Sequence, residues 1–555
     1  MKLNLPQPQL ILEYHHFYND PLPENRLNII KGTPTEALLY ELAGLNYRLK
    51  PKTEIYFNDS LDFQKKELLY FLKDITTYTK YASVAERFSK SESDYPLLFT
   101  RQGCIFAIEE ILNSGFKSET PNDEFGTIEH WESIVKYLLA VNTEITKIKS
   151  EKDDNKNDFE SLNPKFIPLN ELGIEIDPVY TPFRGYHLIK YYLSLPEYAT
   201  ELTEYFNENY ALEPEAFILN ILQMYLANSS ENPELNFFYY VIEPGSYLFD
   251  VLSKRNPSIE NHKLLNIRKS PFIKVASQKY VITDNTFLLE KCYSQFLNDF
   301  WFDKLKTKKN PAGKNIFNIQ KFRSDFGYFF ESYLDSILRY SFSNYKHSKL
   351  LTFEELKISS KQGEIELADF YLRHNNKILI GQVKSGNIYD AEKFGGDVEA
   401  LYKKDRNKFF ENFGVNQIVE SIINVHKYII ELDKNYPQED RIKIYPCIVV
   451  NDKALQTPLM ADIFNTRFKE LLVAIEIPKL LIKPLTLVHV SDIETIEESL
   501  HNTPKEIWDF FDENHKGKKF IPPFYNSVYK IWKHKVYPEK IKDLYKDLMD
   551  KYTQN

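Results

Sequence analysis

The segment Glu364–Gly386, EIELADFYLRHNNKILIGQVKSG, decides how this chain folds around its chemistry. Two strand-like runs, Glu364–Arg373 and Lys377–Lys384, flank Asn375-Asn376, a pair that tolerates the positive φ of a tight turn. The pattern predicts a β-hairpin. If those two residues are the whole loop, Asp369 pairs with Gln382, and cross-strand partners have Cβ atoms about 5 Å apart. Lys384, two residues beyond Gln382, projects from the same face. Asp369, Gln382 and Lys384 are therefore expected in one patch. Glu366, an odd number of positions from Asp369, is expected on the opposite face unless a bulge intervenes. Asp369 sits mid-strand between apolar neighbours, where aspartate is disfavoured.

Upstream, Ser360–Gly363 reads as a turn and Leu350–Ile358 as a further strand. Before them, Gln320–Tyr340 is amphipathic, with Phe322, Phe326, Phe329, Phe330, Tyr333 and Ile337 at helical spacing. Glu331 falls in line with Gly327, Leu334 and Leu338, on or beside the inward side. A buried carboxylate costs several kcal/mol (~2 or more) without a cation or strong donors. A metal shared with Asp369 would supply that cation; Asp335, one turn later, competes for the role. Downstream, Val415–Leu432 reads as a helix, Ile442–Val450 as a buried strand, Leu485–Val490 as another, and Asp492–Leu500 as a helix. This order implies a mixed sheet with helices on its faces.

Glu331 on a helix, then Asp369, then Gln382-Val383-Lys384 resembles the PD-(D/E)XK nuclease superfamily, the restriction-endonuclease-like fold. The resemblance covers Gln320–Leu500 and is strongest over Gly327–Leu338 and Glu364–Gly386. Ala368 stands at the place of the namesake proline, and Gln382 replaces the acidic residue, a QxK form similar to the Mrr-like branch. The resemblance implies a Mg²⁺- (or Mn²⁺-) dependent endonuclease. Glu331, Asp369, the Gln382 oxygen and the Val383 carbonyl would hold the ion, because hard cations prefer oxygen. Lys384 would position water or neutralise charge building on phosphate. By the same resemblance, Gln417 opens a helix near the site's edge. From the residues alone, Lys403, Lys404, Arg406 and Lys408, interleaved with Phe409 and Phe410, read either as a contact to a nucleic-acid backbone or as a solvated helix face. The nucleic acid expected is DNA rather than RNA.

The rest of the chain bounds these expectations. At about 150 residues per domain, 555 residues suggest two to four domains. The reading divides the chain into a helical 1–150, a mostly helical 160–303 with a hairpin over Pro271–Phe287, a nuclease-like 315–500 and a helical extension at 501–555. Helical spacing runs through Thr35–Leu49, Gln64–Tyr81, His130–Lys149, Gly185–Leu193, Pro196–Asn209 and Pro214–Ala227. Ser150–Asp158 reads as an exposed loop, and Lys304–Lys314 (KLKTKKNPAGK) as a solvated connector.

With 17 scattered glycines there is no GxGxxG and no GxxxxGK[ST], so P-loop and Rossmann cofactor roles are excluded. A net charge of −9 argues against a polybasic binder. Three widely spaced cysteines fit neither a disulfide framework nor a CxxC zinc site and point to a reducing cytosol. Adjacent His15-His16 is expected to diverge. The opening residues lack a secretory apolar region, and no apolar run is long enough to span a membrane. The N-terminal half is expected to regulate the nuclease through a protein partner or self-association, with a prokaryotic defence role as one setting. The competing reading is a catalytically silent binding or interaction subunit of the same fold.

Overall fold

The computed structural model describes residues 10–50, 60–89, 95–150, 172, 174, 176–227, 239–242, 247–255, 264–360, 363–386, 406–437, 442–457, 460–473, 480–516, 521–531 and 535–553. The N-terminal half is built from helices, among them Thr35–Leu49, Arg101–Ser114, Ile128–Ser150, Tyr180–Ser194, Pro196–Tyr210 and Pro214–Ala227. Its three-stranded sheet comprises β1 (Tyr239–Val241), β2 (Phe272–Ala276) and β3 (Lys279–Ile282), with β3 central. The β2–β3 turn is the expected one, with Gln278 at φ 61°. The helical reading of Gln64–Tyr81 divides into Leu61–Phe71 and Ile75–Phe88, because Asp74 caps a new start by accepting from the Thr77 amide at 2.8 Å.

The second half is a mixed sheet between helical layers. Its strands are β4 (Ser348–Thr352), β7 (Phe370–His374), β8 (Lys377–Lys384), β9 (Ile442–Val450), β10 (Leu480–Ile482) and β11 (Thr486–His489). A separate ribbon pairs β5 (Lys357–Ser360) with β6 (Gly363–Glu366). The order is β4–β7–β8–β9, with β10 and β11 both on the far edge of β9. β4, β7 and β8 are antiparallel, and β8, β9, β10 and β11 are parallel.

One sheet face (Leu372, Leu379, Val383, Tyr445 and Val449) packs into the apolar layer containing the Ile319–Phe342 and Val490–Asn502 helices. That layer runs without a break into the N-terminal helices and the C-terminal ones, Glu506–His515, Phe524–Ile531 and Glu539–Thr553. The other face (Tyr371, Ile378, Ile380, Ile444 and Ile448) packs on the Val415–Tyr428 and Met460–Val473 helices. The strict alternation along β8 reflects the two-residue period of a strand buried on both sides.

Four readings need correction. Leu350–Ile358 is not one strand: a 3₁₀ turn at Phe353–Leu356, closed by a reciprocal Thr352/Glu355 cap, separates β4 from β5. Glu364–Arg373 is likewise two strands, broken at Leu367–Asp369, where the Leu367 amide turns to the Leu356 carbonyl at 2.9 Å. Lys304 is no solvated linker residue. It is buried and reaches Glu204 at 2.9 Å and Glu208 at 2.8 Å, because the acidic side of Pro196–Tyr210 lies against it. His15 and His16 do not diverge: a 3₁₀ turn brings their rings to 4.1 Å. All three cysteines are buried thiols. The Ser150–Asp158 reading falls almost wholly outside the described residues, and no described helix is long and apolar enough to cross a membrane.

Candidate active site

The β7–β8 register is the expected one: His374 faces Lys377, Phe370 faces Gly381, and Asn375 takes φ 54° in the two-residue turn. Continued one step, it places Asp369 against Gln382. Asp369 has left the ladder geometry but stays pinned to it. Its amide donates to the Gly381 carbonyl at 3.1 Å and its carbonyl accepts from the Phe353 amide at 2.7 Å. Its carboxylate accepts from the Val383 amide at 2.6 Å. Alternation puts the Val383 carbonyl on that same side of β8, away from the β9 ladder, where Lys384 is the acceptor for the Asn451 amide at 3.1 Å.

Gly381 makes this approach feasible. A Cβ there would lie 1.9 Å from Phe370 ring atoms, so the ring crosses the strand where only glycine fits.

Gln382 is buried, and its amide nitrogen donates to the Ser421 hydroxyl at 2.9 Å. That commitment leaves Oε1 facing Lys384, whose Nζ lies 3.4 Å away. The Lys384 stem lies against Gly414, the left-handed cap (φ +81°) of the Val415–Tyr428 helix; a Cβ there would come within 2.6 Å of Lys384 Cε. Neither Ser421 nor Gly414 was singled out in the sequence. Helical spacing puts Ser421 on the buried side of its helix, but nothing local says which strand it meets.

Glu331 arrives from the opposite layer, where the Ile319–Phe342 helix passes the end of β8: a Cβ on Gly327 would lie 3.6 Å from Ser385 Oγ. Burial pushes the Glu331 carboxyl up to about 7, with Asp369 and then Glu366 adding to the rise and Lys384 opposing it. Burial likewise raises Asp369 to about 6, against the pull of Lys384. Two carboxyls in one poorly hydrated place resist ionising together.

Glu366, expected on the far face unless a bulge intervened, bears electrostatically on both acids, and the chain breaks strand geometry between it and Phe370. Asp335 is engaged elsewhere, accepting from Thr352 Oγ1 at 2.5 Å and pairing with Arg339 at 2.9 Å. Gln417 is exposed in the first turn after Gly414, one helical turn before Ser421.

Lys403 and Lys404 lie outside the described residues, while Arg406 and Lys408 belong to the Arg406–Asn412 helix. Phe409 and Phe410 are not part of a binding surface; both are buried against Phe464. Among the described residues, no three His, Cys, Asp or Glu side chains form a metal-holding group. Any such set here depends on amide and carbonyl oxygens to complete it. No protein-family model, curated protein or solved structure matches this chain.

Proposed function

We propose that the chain is a Mg²⁺- or Mn²⁺-dependent nuclease that hydrolyses phosphodiester bonds, with DNA as substrate, of the restriction-endonuclease-like kind. The observation that carries the reading is the convergence of Asp369, Gln382 and Lys384 at the end of β8, beside a helical Glu331 whose carboxyl is electrostatically coupled to Asp369.

The donor set fits a hard divalent ion. Its atoms are oxygens from Asp369, Glu331, Gln382 and the Val383 carbonyl, and Ser421 holds the Gln382 amide so that oxygen, not nitrogen, is presented. Burial is the first cause of the raised value of both carboxyls, and a buried carboxylate is stabilised by a cation. A bound divalent ion supplies Lewis acidity and lowers the pKa of water. Asp369 and Glu331 are the groups that must be ionised to hold it. Lys384, fixed between Gln382 and Gly414, places an ammonium where charge accumulates on the phosphoryl oxygens. The N-terminal half would regulate this site through a partner or a second copy.

The competing reading, a silent binding subunit, is favoured by one feature: Gln382 contributes no charge, so the ion would be held by fewer carboxylates. Incubation of plasmid DNA with Mg²⁺ decides between them. Cleavage abolished by EDTA and by Lys384→Ala supports the nuclease; DNA binding without turnover in either metal supports the silent subunit.

A further inference from the structure

We propose that Tyr293 and Arg184, in the N-terminal half, are positioning residues that set the spacing between Lys384 and Glu331. The inference rests on the nuclease reading for its functional part.

β8 ends at Lys384, and the next turn of backbone is held by Asn451, just past β9. The Asn451 amide donates to the Lys384 carbonyl at 3.1 Å, and its own carbonyl meets His489 Nε2 at 2.8 Å. The Asn451 side-chain oxygen accepts from the Tyr293 hydroxyl at 2.7 Å. Tyr293 is buried, 158 residues away in sequence, and no part of the sheet. Two residues on, Lys453 pairs at 2.9 Å with Glu290, which also takes Arg268 at 2.8 Å. The N-terminal half therefore straps the segment after β9 at two points.

Tyr293 is itself held. The Arg184 guanidinium lies 4.4 Å from the centre of its ring. This approach depends on Gly185, where a Cβ would fall 2.2 Å from the Cys292 carbonyl oxygen. Arg184 then pairs with Glu494 at 3.3 Å, and Glu494 accepts from the Tyr333 hydroxyl at 2.7 Å. Arg184 and Glu494 are almost wholly buried, so removing either partner of this ion pair leaves an uncompensated charge.

Tyr333 is two residues after Glu331, on the side of the helix turned away from the site. The chain of contacts thus starts at Lys384, crosses the N-terminal half, and returns to the helix carrying Glu331. It binds both walls of the site to one rigid body. Misplacement of reacting groups by about 1 Å can cost about 10²-fold in rate, so a strap of this kind sets turnover rather than substrate affinity.

The test uses the full chain and two variants from opposite ends, Tyr293→Phe and Tyr333→Phe, which keep the rings and remove one hydroxyl each. Tyr240→Phe, whose hydroxyl bonds the Met224 carbonyl within the N-terminal half, is the control. With supercoiled plasmid and Mg²⁺, both variants should lose about tenfold in kcat, the scale of one lost buried hydrogen bond, with KM unchanged. Amide hydrogen exchange over residues 380–386 should quicken in Tyr293→Phe and stay as in the parent in the control. Unchanged exchange there overturns the proposal whether or not the parent cleaves. Quickened exchange with unaltered kcat in an active parent overturns it as well. Quickened exchange with a parent that never cleaves sustains the strap and overturns only the nuclease reading.

Discussion

The β7–β8 ribbon and the helix carrying Glu331 bring their residues to one place by different means. In the ribbon, a two-residue turn sets the register, and register sets which side chains share a face, so Asp369, Gln382 and Lys384 are neighbours within 16 residues of chain. Glu331 belongs to the opposite layer and reaches the site only because its helix passes the open end of β8 close to Ser385. The ribbon supplies identity; the layers supply charge state and orientation. Burial between layers is what lifts Glu331 to about 7 and Asp369 to about 6.

Removing a ribbon residue should have the largest effect. Lys384→Ala and Asp369→Asn are expected to lower plasmid cleavage by about 10²–10³-fold, the typical cost of losing a preorganised charge. Asp369→Asn should nevertheless fold, since an amide oxygen can still accept from Val383. Its thermal midpoint should exceed that of the parent at pH 8, where the native carboxylate is ionised and poorly solvated. A midpoint lower than the parent's at pH 8 would show that burial does not penalise this acid.

Next comes the ribbon's own packing. Gly381→Ala puts a methyl inside the Phe370 ring and should cost about 1–3 kcal/mol, read by denaturant unfolding. Double replacement with Phe370→Leu should recover part of that loss if the ring is the cause.

The layer contribution is tested by pH. Both acids have raised values in the folded state, so between about pH 4 and about pH 7 the folded protein holds more protons than the unfolded chain. Stability from these two groups is therefore present at low pH and lost as pH rises through 6 and 7. Cleavage should run the other way, rising about tenfold from pH 6 to pH 8 as the acids ionise. Glu331→Gln should flatten the stability trend while abolishing that rise. A flat parent profile over this range would separate Glu331 from the site.

The smallest effect is expected from Ser421→Ala. It frees the Gln382 amide to rotate and should reduce cleavage by about tenfold or less, with a stability loss of about 1 kcal/mol. If the Gln382 oxygen has no role, activity will be unmoved.

Local pattern made much of the fold legible. The Asn375-Asn376 turn, the Gln278 turn, the long Ile319–Phe342 helix and the apolar β9 were readable because period and turn chemistry act over a few residues. The misread helix and strands each contain a break that competes with a continuous pattern. Asp74 caps a helix in mid-run, Thr352 and Glu355 close a 3₁₀ turn, and Leu367 bonds across to Leu356. The reading of Glu366 turned on the same break, since its face depends on the path through Leu367–Asp369.

By itself, the sequence determined the β7–β8 hairpin, its register and hence the grouping of an acid, an amide and an ammonium. These follow from backbone geometry, which repeats every two residues. Only the tertiary structure decided that Ser421 orients Gln382, that Gly414 lies against Lys384, that Glu366 bears on Glu331, and that Tyr293 reaches Asn451. Those relations join residues tens to hundreds of positions apart. They are set by how layers pack and exclude water, which no short-range pattern encodes.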